Sequence, residues 1–353
     1  MSVAFVDCSV GQFDGLQSFF RSAYRESYRL AWDASLLRWQ FGGRDNECHV
    51  KLAVSGDQIQ ACLGFIPVEL NVAGQMVRAA WTANWMVAPS HRRLGLGPLL
   101  LRQLTEQFDV VLSLGLEADA CELLPRMGWV DFGDLARYVC VLDEASASLL
   151  MESGKLEWPS PQSARITPAE LANVVEVPLD AGIDDLWSRT WGQQGAGTRR
   201  SLDFLRWRYL EHPCFQYRIL RLRSVSGGSE ALAVFRMEPV RDAPVTVCRI
   251  TEIVADLPLR ADIIRAVVTE ARDAGAAMVD FSCSSRSLEQ SLIHEGFLPA
   301  EVEPASQLPM LFQPVNRSRT GIRFMAHLRK LPQAAELTEW YVTRGDGDQD
   351  RPN

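Results

Sequence analysis

The 353-residue sequence lacks several features that mark special classes of protein. No stretch approaches the roughly 18 uninterrupted apolar residues that a membrane-spanning helix needs, so no membrane span is expected. The N-terminus, MSVAFVDCSVGQFDG, has no basic segment followed by a long apolar one, and no signal peptide is evident. Positive charge is in deficit, with a formal net charge of −8, which argues against a chain that coats nucleic acid or an anionic membrane.

The eight cysteines form no C-x-x-C pair and lie scattered, mostly within apolar runs. This distribution argues against a disulfide framework and against a zinc site, and it is typical of small core residues in a reducing compartment. Hydrophobic residues make up 47% of the chain and charged residues 23%, as in an ordinary globular protein, and the length suits two domains. We therefore expect a cytoplasmic, soluble protein that holds no metal.

The most informative stretch spans residues 81–100 and reads WTANWMVAPSHRRLGLGPLL. Its first seven residues suit a buried strand, residues 92–97 form an R-x-x-G-x-G loop, and Pro98 is well placed as the first residue of a helix. Such a loop favours an anion, because the free N–H groups and the dipole of the helix point at it and the glycines allow close approach. Arg92 and Arg93 add positive charge that a pyrophosphate or a 3′-phosphate can use.

The string V-A-P-S-H-R-R-L-G-L-G-P-L-L, at residues 87–100, closely resembles motif A of the GCN5-related N-acetyltransferases, which bind the pyrophosphate of acyl-CoA there. The resemblance implies an α/β fold with twisted mixed sheets flanked by helices, and acetyl-CoA or another acyl-CoA as co-substrate. It implies that backbone groups of Met86 and Val87 bind the pantetheine arm and that one of their N–H groups stabilises the oxyanion. The loop residues implied for the pyrophosphate are Arg92, Arg93, Leu94, Gly95, Leu96 and Gly97.

The second half of the sequence repeats the pattern of the first. The triplet L-R-W at 37–39 returns at 205–207, and Gly128–Trp129 returns as Gly296–Phe297, in both cases 168 residues later. We predict two tandem acetyltransferase-type domains at 1–145 and 181–331, a linker at 146–180 and a solvated tail at 332–353. The second copy has Arg260–Arg265 in place of the glycine loop, with Asp262 as an added carboxylate. We therefore expect the second copy to be degenerate and acyl-CoA to bind the first.

Candidate catalytic groups are sparse along the predicted strand. The implied reaction is attack of an amine on the thioester, which needs a proton acceptor and ideally a proton donor for the leaving thiolate. The tyrosine that the family often places four residues before the Gly–aromatic pair is Leu124 here. Asn84 could hold an acceptor or a water chain, while Glu117 and Asp119 are the nearest carboxylates, although acids are also favoured at a helix N-terminus. Glu252 aligns with Asn84 in the second copy, and glutamate on this strand is a common base in the family.

The resemblance predicts an acyltransferase that moves an acyl group from acyl-CoA to a primary amine of a small molecule. The repeated L-R-W followed by a predicted hairpin is similar to tandem proteins found with bacterial polysaccharide genes, which favours an amino sugar or a nucleotide-sugar amine as acceptor. Two alternatives stay open: an aminoacyl transferase of the peptidoglycan type and a non-catalytic acyl-CoA-binding module. No nucleic-acid or membrane partner is expected, and the oligomeric state is not specified by the sequence.

Overall fold

Two twisted mixed β-sheets, each flanked by helices, make up the frame of the protein, as predicted. The computed structural model describes residues 3–352 except 26, 44–46, 153–155, 160–172, 242, 314 and 317–320. Part of the predicted linker, residues 160–172, therefore lies outside the described residues. In the described part of the chain, no helix combines the length and the apolar character needed to cross a membrane.

The strands alternate along the chain with the helices that cover the sheets. The strands of the first half are β1 (Ala4–Asp7), β2 (Val50–Ser55), β3 (Gln58–Val72), β4 (Gln75–Val87), β5 (Val110–Leu114), β6 (Val130–Asp134), β7 (Ala136–Val141), β8 (Val174–Glu176) and β9 (Ala196–Thr198). Those of the second half are β10 (Arg218–Ser224), β11 (Glu230–Pro239), β12 (Thr246–Ala255), β13 (Met278–Cys283), β14 (Leu298–Pro299), β15 (Leu311–Phe312), β16 (Val315–Asn316), β17 (Arg323–His327) and β18 (Trp340–Tyr341).

The longer helices carry apolar residues at a spacing of three and four, which gives each of them a face for the sheet. They are α1 (Phe13–Ala23), α2 (Ala34–Phe41), α3 (Leu96–Gln107), α4 (Ala118–Leu123), α5 (Glu144–Ser148), α6 (Gly182–Trp187), α7 (Leu202–Leu205), α8 (Arg260–Asp273) and α9 (Glu289–His294). Helix α3, for example, buries Leu100, Leu101 and Leu104 in the core of the first sheet. It begins at Leu96, two residues before the predicted Pro98.

The two sheets have the same strand order. The first runs β1-β2-β3-β4-β5-β17-β6, with β9 paired to the end of β3 and β18 paired to β9. The second runs β8-β10-β11-β12-β13-β7-β14. Within each order the fourth and fifth strands are parallel, β4 with β5 and β12 with β13, while their neighbours are antiparallel.

The two halves exchange their closing strands, which corrects one of our predictions. Strand β7 belongs to the predicted first domain, but it lies between β13 and β14 of the second sheet. Strand β17, from the second half, fills the corresponding position between β5 and β6. A single residue, Leu135, separates β6 from β7, and a connection that short cannot return the chain between β5 and β6. Neither sheet is therefore complete within the predicted boundaries 1–145 and 181–331.

The segment from Trp340 to Asp350 is buried between the two halves, so the prediction of a solvated tail was wrong. The reason is a set of arginines far away in the sequence. Arg200 donates to both carboxylate oxygens of Asp346, at 3.0 and 2.6 Å, and Arg236 donates to Asp350 at 2.7 and 3.1 Å. These paired charges compensate each other, which is the condition under which carboxylates are found in a protein interior.

Candidate active site

The parallel strands β4 and β5 separate after a short paired region and leave a gap. Pairing covers Ala79–Trp81 against Val110–Leu112, and the Thr82 hydroxyl then donates to the Ser113 hydroxyl at 2.7 Å. Beyond this bond the ends of the two strands line a cavity of about 400 Å³. Arg92 of the predicted donor loop, the predicted carboxylates and Asn84 all line this cavity, whereas Glu252 does not.

A β-bulge on β4 sets the shape of the cavity wall. Cys62 pairs with Met86 and Gly64 with Ala83, so Leu63 faces two residues, Asn84 and Trp85. Asn84 takes a left-handed conformation with φ of 51°, and the simple alternation of side chains assumed from the sequence is interrupted there.

Tyr28 lies in the connection between α1 and α2 and forms a hydrogen bond with the Asn84 side chain. The Tyr28 hydroxyl donates to Asn84 Oδ1, and both side chains are buried on the cavity wall. Tyr28 packs edge-on against Phe20 and Tyr24. Burial raises the pKa of the Tyr28 phenol well above its usual range, so the hydroxyl remains a hydrogen-bond donor at neutral pH.

The R-x-x-G-x-G loop leads from β4 into α3 as predicted. Gly95 caps the helix with φ of 73°, a conformation that other residues adopt only at a cost in free energy. Gly97 lies against the Trp85 ring, and a Cβ there would stand 2.9 Å from Trp85 Nε1. Arg92 and Arg93 are exposed, and Arg92 also lines the cavity. The helix N-terminus, the glycine backbone and the two arginines together favour an anion at the cavity entrance.

The backbone of β4 offers an unpaired edge to the gap. Ala88 donates its N–H to Gln60 on β3 at 2.8 Å. Successive residues of a strand alternate between its two edges, so the N–H of Val87 is directed to the opposite side, where β5 no longer pairs with β4. This favours Val87 over Met86 as the residue whose N–H faces the gap.

Three carboxylates line the cavity, two that we predicted and one that we did not. Glu117 and Asp119 are exposed at the start of α4, and no ion pair of either is found within the described ranges. Asp348 comes from the buried C-terminal segment and forms an ion pair with Arg351. No local pattern in the sequence indicates that this segment reaches the cavity, because its anchoring arginines lie in the second half. Leu124, which stands where the family often has a tyrosine, is buried.

Glu252 belongs to a different, fully buried network. Its carboxylate accepts hydrogen bonds from Arg200 Nε at 3.1 Å, from the Tyr209 hydroxyl at 2.6 Å and from the Tyr341 hydroxyl at 2.9 Å. Burial raises the pKa of this carboxyl group above its ordinary value. Glu252 does not line the cavity between β4 and β5, and its bonds connect the second half to the C-terminal segment.

A larger cavity of about 740 Å³ lies in the second half, beside β10 and β11. Its charged side chains are paired with one another: Arg218 with Glu270, and Arg236 with Glu238 and Asp350. The gap between β4 and β5 is the better candidate, because it combines an anion-binding loop with open backbone groups. Among the residues that the structure describes, no group of three or more histidine, cysteine or acidic side chains could hold a metal ion.

Comparison with known proteins shows that this region is similar to a known family. The family profile described as "Acetyltransferase (GNAT) domain" matches residues 11–129, which include β4, the glycine loop and both predicted carboxylates. No curated protein matches the chain. Residues 11–129 are therefore similar to a GNAT acetyltransferase domain.

Solved structures share the fold over most of the chain. A GCN5-related N-acetyltransferase from Anabaena variabilis aligns over 92% of this chain and 72% of its own, with 15% identity and a TM-score of 0.59. A putative acetyltransferase from Pyrococcus horikoshii aligns over 92% and 88%, with 14% identity and a TM-score of 0.51. An N-myristoyltransferase from Saccharomyces cerevisiae with bound myristoyl-CoA aligns over 92% and 80%, with 11% identity and a TM-score of 0.55.

Proposed function

Because residues 11–129 are similar to a GNAT acetyltransferase domain, we propose that the protein is an N-acyltransferase that uses acyl-CoA and acts at the gap between β4 and β5. One observation carries the proposal: Arg92 of the glycine loop, Met86 and Val87 of β4 and three carboxylates line a single cavity. The acceptor that we propose is a primary amine of a small molecule.

The donor would bind along β4 and the loop. Its pyrophosphate would lie against the N-terminus of α3, near Arg92 and Arg93, where Gly95 leaves the backbone accessible. Its pantetheine arm would bond the open edge of β4 at Val87, in the manner of an added strand. The thioester would then lie where β4 and β5 part.

The reaction is a direct acyl transfer. The amine nitrogen attacks the thioester carbon, a C–N bond forms, and the carbonyl electron pair moves to the oxygen, where the Val87 N–H stabilises the charge. Collapse of this intermediate breaks the C–S bond and releases CoA as its thiolate. A thiol with a pKa of ~8.5 needs little protonation at neutral pH, so the absence of the usual tyrosine at Leu124 is tolerable. Glu117 and Asp119 would accept the proton that the ammonium group loses.

We also propose that the two halves arose by duplication and that only the first binds the donor. Both sheets have the same strand order and exchange their closing strands. In the second half, the chain itself occupies the edge beyond β13: Ser284 donates its N–H to Val342 O at 2.8 Å, and Cys283 pairs with Thr343. The position of a pantetheine arm is thereby taken, and the loop before α8 has no glycine.

The character of the cavity supports an amino sugar or nucleotide-sugar amine as the acceptor class. Carboxylates attract an ammonium group, and the Tyr24 and Trp85 rings beside them offer faces for a sugar ring.

Calorimetric titration of acetyl-CoA tests the donor site. We expect the wild type to bind and a Gly95→Asp, Arg92→Glu variant to lose binding, because both changes place negative charge at the loop. Arg102→Glu makes the same charge change as Arg92→Glu alone, on an exposed part of α3 away from the cavity, and should bind like the wild type. Absence of binding to the wild type would overturn the proposed donor, and binding retained by the double variant would overturn the proposed site.

Release of CoA in the presence of glucosamine, a nucleotide amino sugar, a polyamine and an amino acid would then rank the acceptor classes.

A further inference from the structure

Asn84 occupies its position at a conformational cost. Its φ of 51° lies in the left-handed region, where residues other than glycine are uncommon and asparagine is among the better tolerated. The bulge formed with Trp85 lies at the point where β4 and β5 part, and Asn84 is among the residues that line the cavity there. Strained positions of this kind concentrate at functional sites, where the rest of the structure holds them in place.

Only one end of the Asn84 side-chain amide has a hydrogen-bond partner among the described residues. Its Oδ1 accepts a hydrogen bond from the Tyr28 hydroxyl, but its Nδ2 has no hydrogen-bond partner among the described residues. The residue is only 8% exposed. A buried donor without a partner is unfavourable, and Asn84 is one of the residues that line the cavity, so an acceptor atom of a ligand could satisfy Nδ2.

Tyr28 binds the oxygen end of the Asn84 amide. The phenol is 1% exposed, and its ring is held by Phe20 and Tyr24. Its hydroxyl keeps its proton at neutral pH and donates it to Oδ1, so Nδ2 is the end that remains for the ligand.

The chemistry of acyl transfer identifies the atom that Nδ2 meets. An attacking amine uses its lone pair on carbon and needs an acceptor for its proton, so an amide N–H is of no use to it. The thioester oxygen, in contrast, gains negative charge as the amine attacks. We propose that Asn84 Nδ2 donates a hydrogen bond to this oxygen and, together with the Val87 N–H, forms the oxyanion hole. This inference rests on the proposed acyltransferase function.

The test compares Asn84→Gly with the wild type, because glycine keeps the left-handed backbone and removes the amide. Steady-state rates with acetyl-CoA are measured with the best amine of the panel and with hydroxylamine, a small nucleophile that needs no acceptor contacts, after subtraction of the uncatalysed rate. We expect kcat to fall by about 10²–10³-fold with both nucleophiles, the loss typical of an oxyanion donor, while calorimetric affinity for acetyl-CoA is retained. Tyr28→Phe, which frees the amide to rotate, should lower kcat about tenfold with both nucleophiles.

The outcomes separate this inference from the function on which it rests. A variant that loses activity only with the larger amine would show that Asn84 contacts the acceptor, and the oxyanion role would be overturned. An Asn84→Gly enzyme as fast as the wild type would overturn the inference and leave the proposed function standing. A wild type that releases no CoA with any nucleophile would overturn both.

Retained acetyl-CoA binding and an unchanged circular dichroism spectrum show that Asn84→Gly is folded. Asn84→Asp, in which the new residue also tolerates φ above zero, serves as a second variant.

Discussion

Trp39 and Trp207 contact each other reciprocally. Their indole rings stack with centroids 5.2 Å apart and planes inclined by 17°. Trp39 Nε1 donates to the backbone oxygen of Trp207 at 2.9 Å, and Trp207 Nε1 donates to that of Trp39 at 3.2 Å. The two residues are 168 positions apart, the offset of the sequence repeat. A contact that two equivalent residues make identically in both directions is what a two-fold axis produces, and it supports the proposed duplication.

This reciprocal contact predicts a symmetrical effect on stability. We expect Trp39→Phe and Trp207→Phe each to lower the free energy of unfolding by about 1–2 kcal/mol, because each removes one indole hydrogen bond and part of the stacked area. The double variant should lose less than the sum, since both changes break one shared contact. Urea unfolding measures all three, with Trp32→Phe as a control at a side chain that is 61% exposed. Fully additive losses would contradict the coupling.

The sequence was sufficient for local features and insufficient for the contacts between the halves. The strand, loop and helix of residues 81–107 follow from apolar spacing and two glycines, which act over a few residues. The exchange of β7 and β17 depends on which sheet edge is open once both halves have folded, and no local pattern encodes it. The burial of Asp346 depends in the same way on Arg200, 146 residues away.

The Arg200–Asp346 pair predicts a large loss when only one partner is removed. Neither side chain is exposed, so Arg200→Met leaves the carboxylates of Asp346 and Glu252 without their shared cation. We expect a loss of about 3–5 kcal/mol in the free energy of unfolding, and a smaller loss when Asp346→Asn is added. In the exposed pair Arg102–Glu106, Arg102→Met should cost less than about 0.5 kcal/mol. Equal losses at the two arginines, measured by urea unfolding, would refute the argument.

We expect the buried ring of His212 to make the protein less stable to unfolding in acid. Its ring stacks on Phe215, and its Nδ1 accepts the N–H groups of Cys214 and Phe215, which requires the neutral ring. Burial lowers the pKa of His212 from 6.5 to about 3. The unfolded chain therefore binds a proton below pH 6.5 that the folded protein does not, and the stability present above that pH is lost as the pH falls toward 3.

Urea unfolding from pH 7.5 to pH 4.5 measures this effect. We expect the wild type to lose about 2 kcal/mol more than His212→Asn over this range, since asparagine offers an acceptor oxygen but does not titrate. Other acidic and basic groups contribute equally to both proteins and cancel in the difference. Parallel pH profiles would show that the folded protein accommodates the charged ring.

Removal of one proposed proton acceptor should lower activity moderately, and removal of both should lower it further. We expect Glu117→Gln and Asp119→Asn each to lower kcat about tenfold and the double variant to lower it by about 10²-fold or more, because either carboxylate can partly replace the other. Acetyl-CoA binding should be unchanged in calorimetry, since neither group lies in the donor loop. Glu122→Gln, on the same helix but outside the cavity lining, is the matched control. A double variant with the wild-type pH–rate profile would exclude both residues.

The two loop glycines are needed for different reasons, and alanine at each position should separate them. At Gly95 a Cβ meets no atom within 4 Å, but φ is 73°, so Gly95→Ala should cost about 1 kcal/mol of stability and leave the loop surface open. At Gly97 a Cβ would stand 2.9 Å from Trp85 Nε1, so Gly97→Ala must displace the ring that lines the cavity. We expect KM for acetyl-CoA to rise at least about tenfold in Gly97→Ala and only slightly in Gly95→Ala. Adding Trp85→Phe to Gly97→Ala removes the indole nitrogen that the new Cβ would meet, and it should bring KM part of the way back to the wild-type value. If KM stays high in this double variant, Gly97 is needed for direct approach of the donor to the helix and not for the position of Trp85.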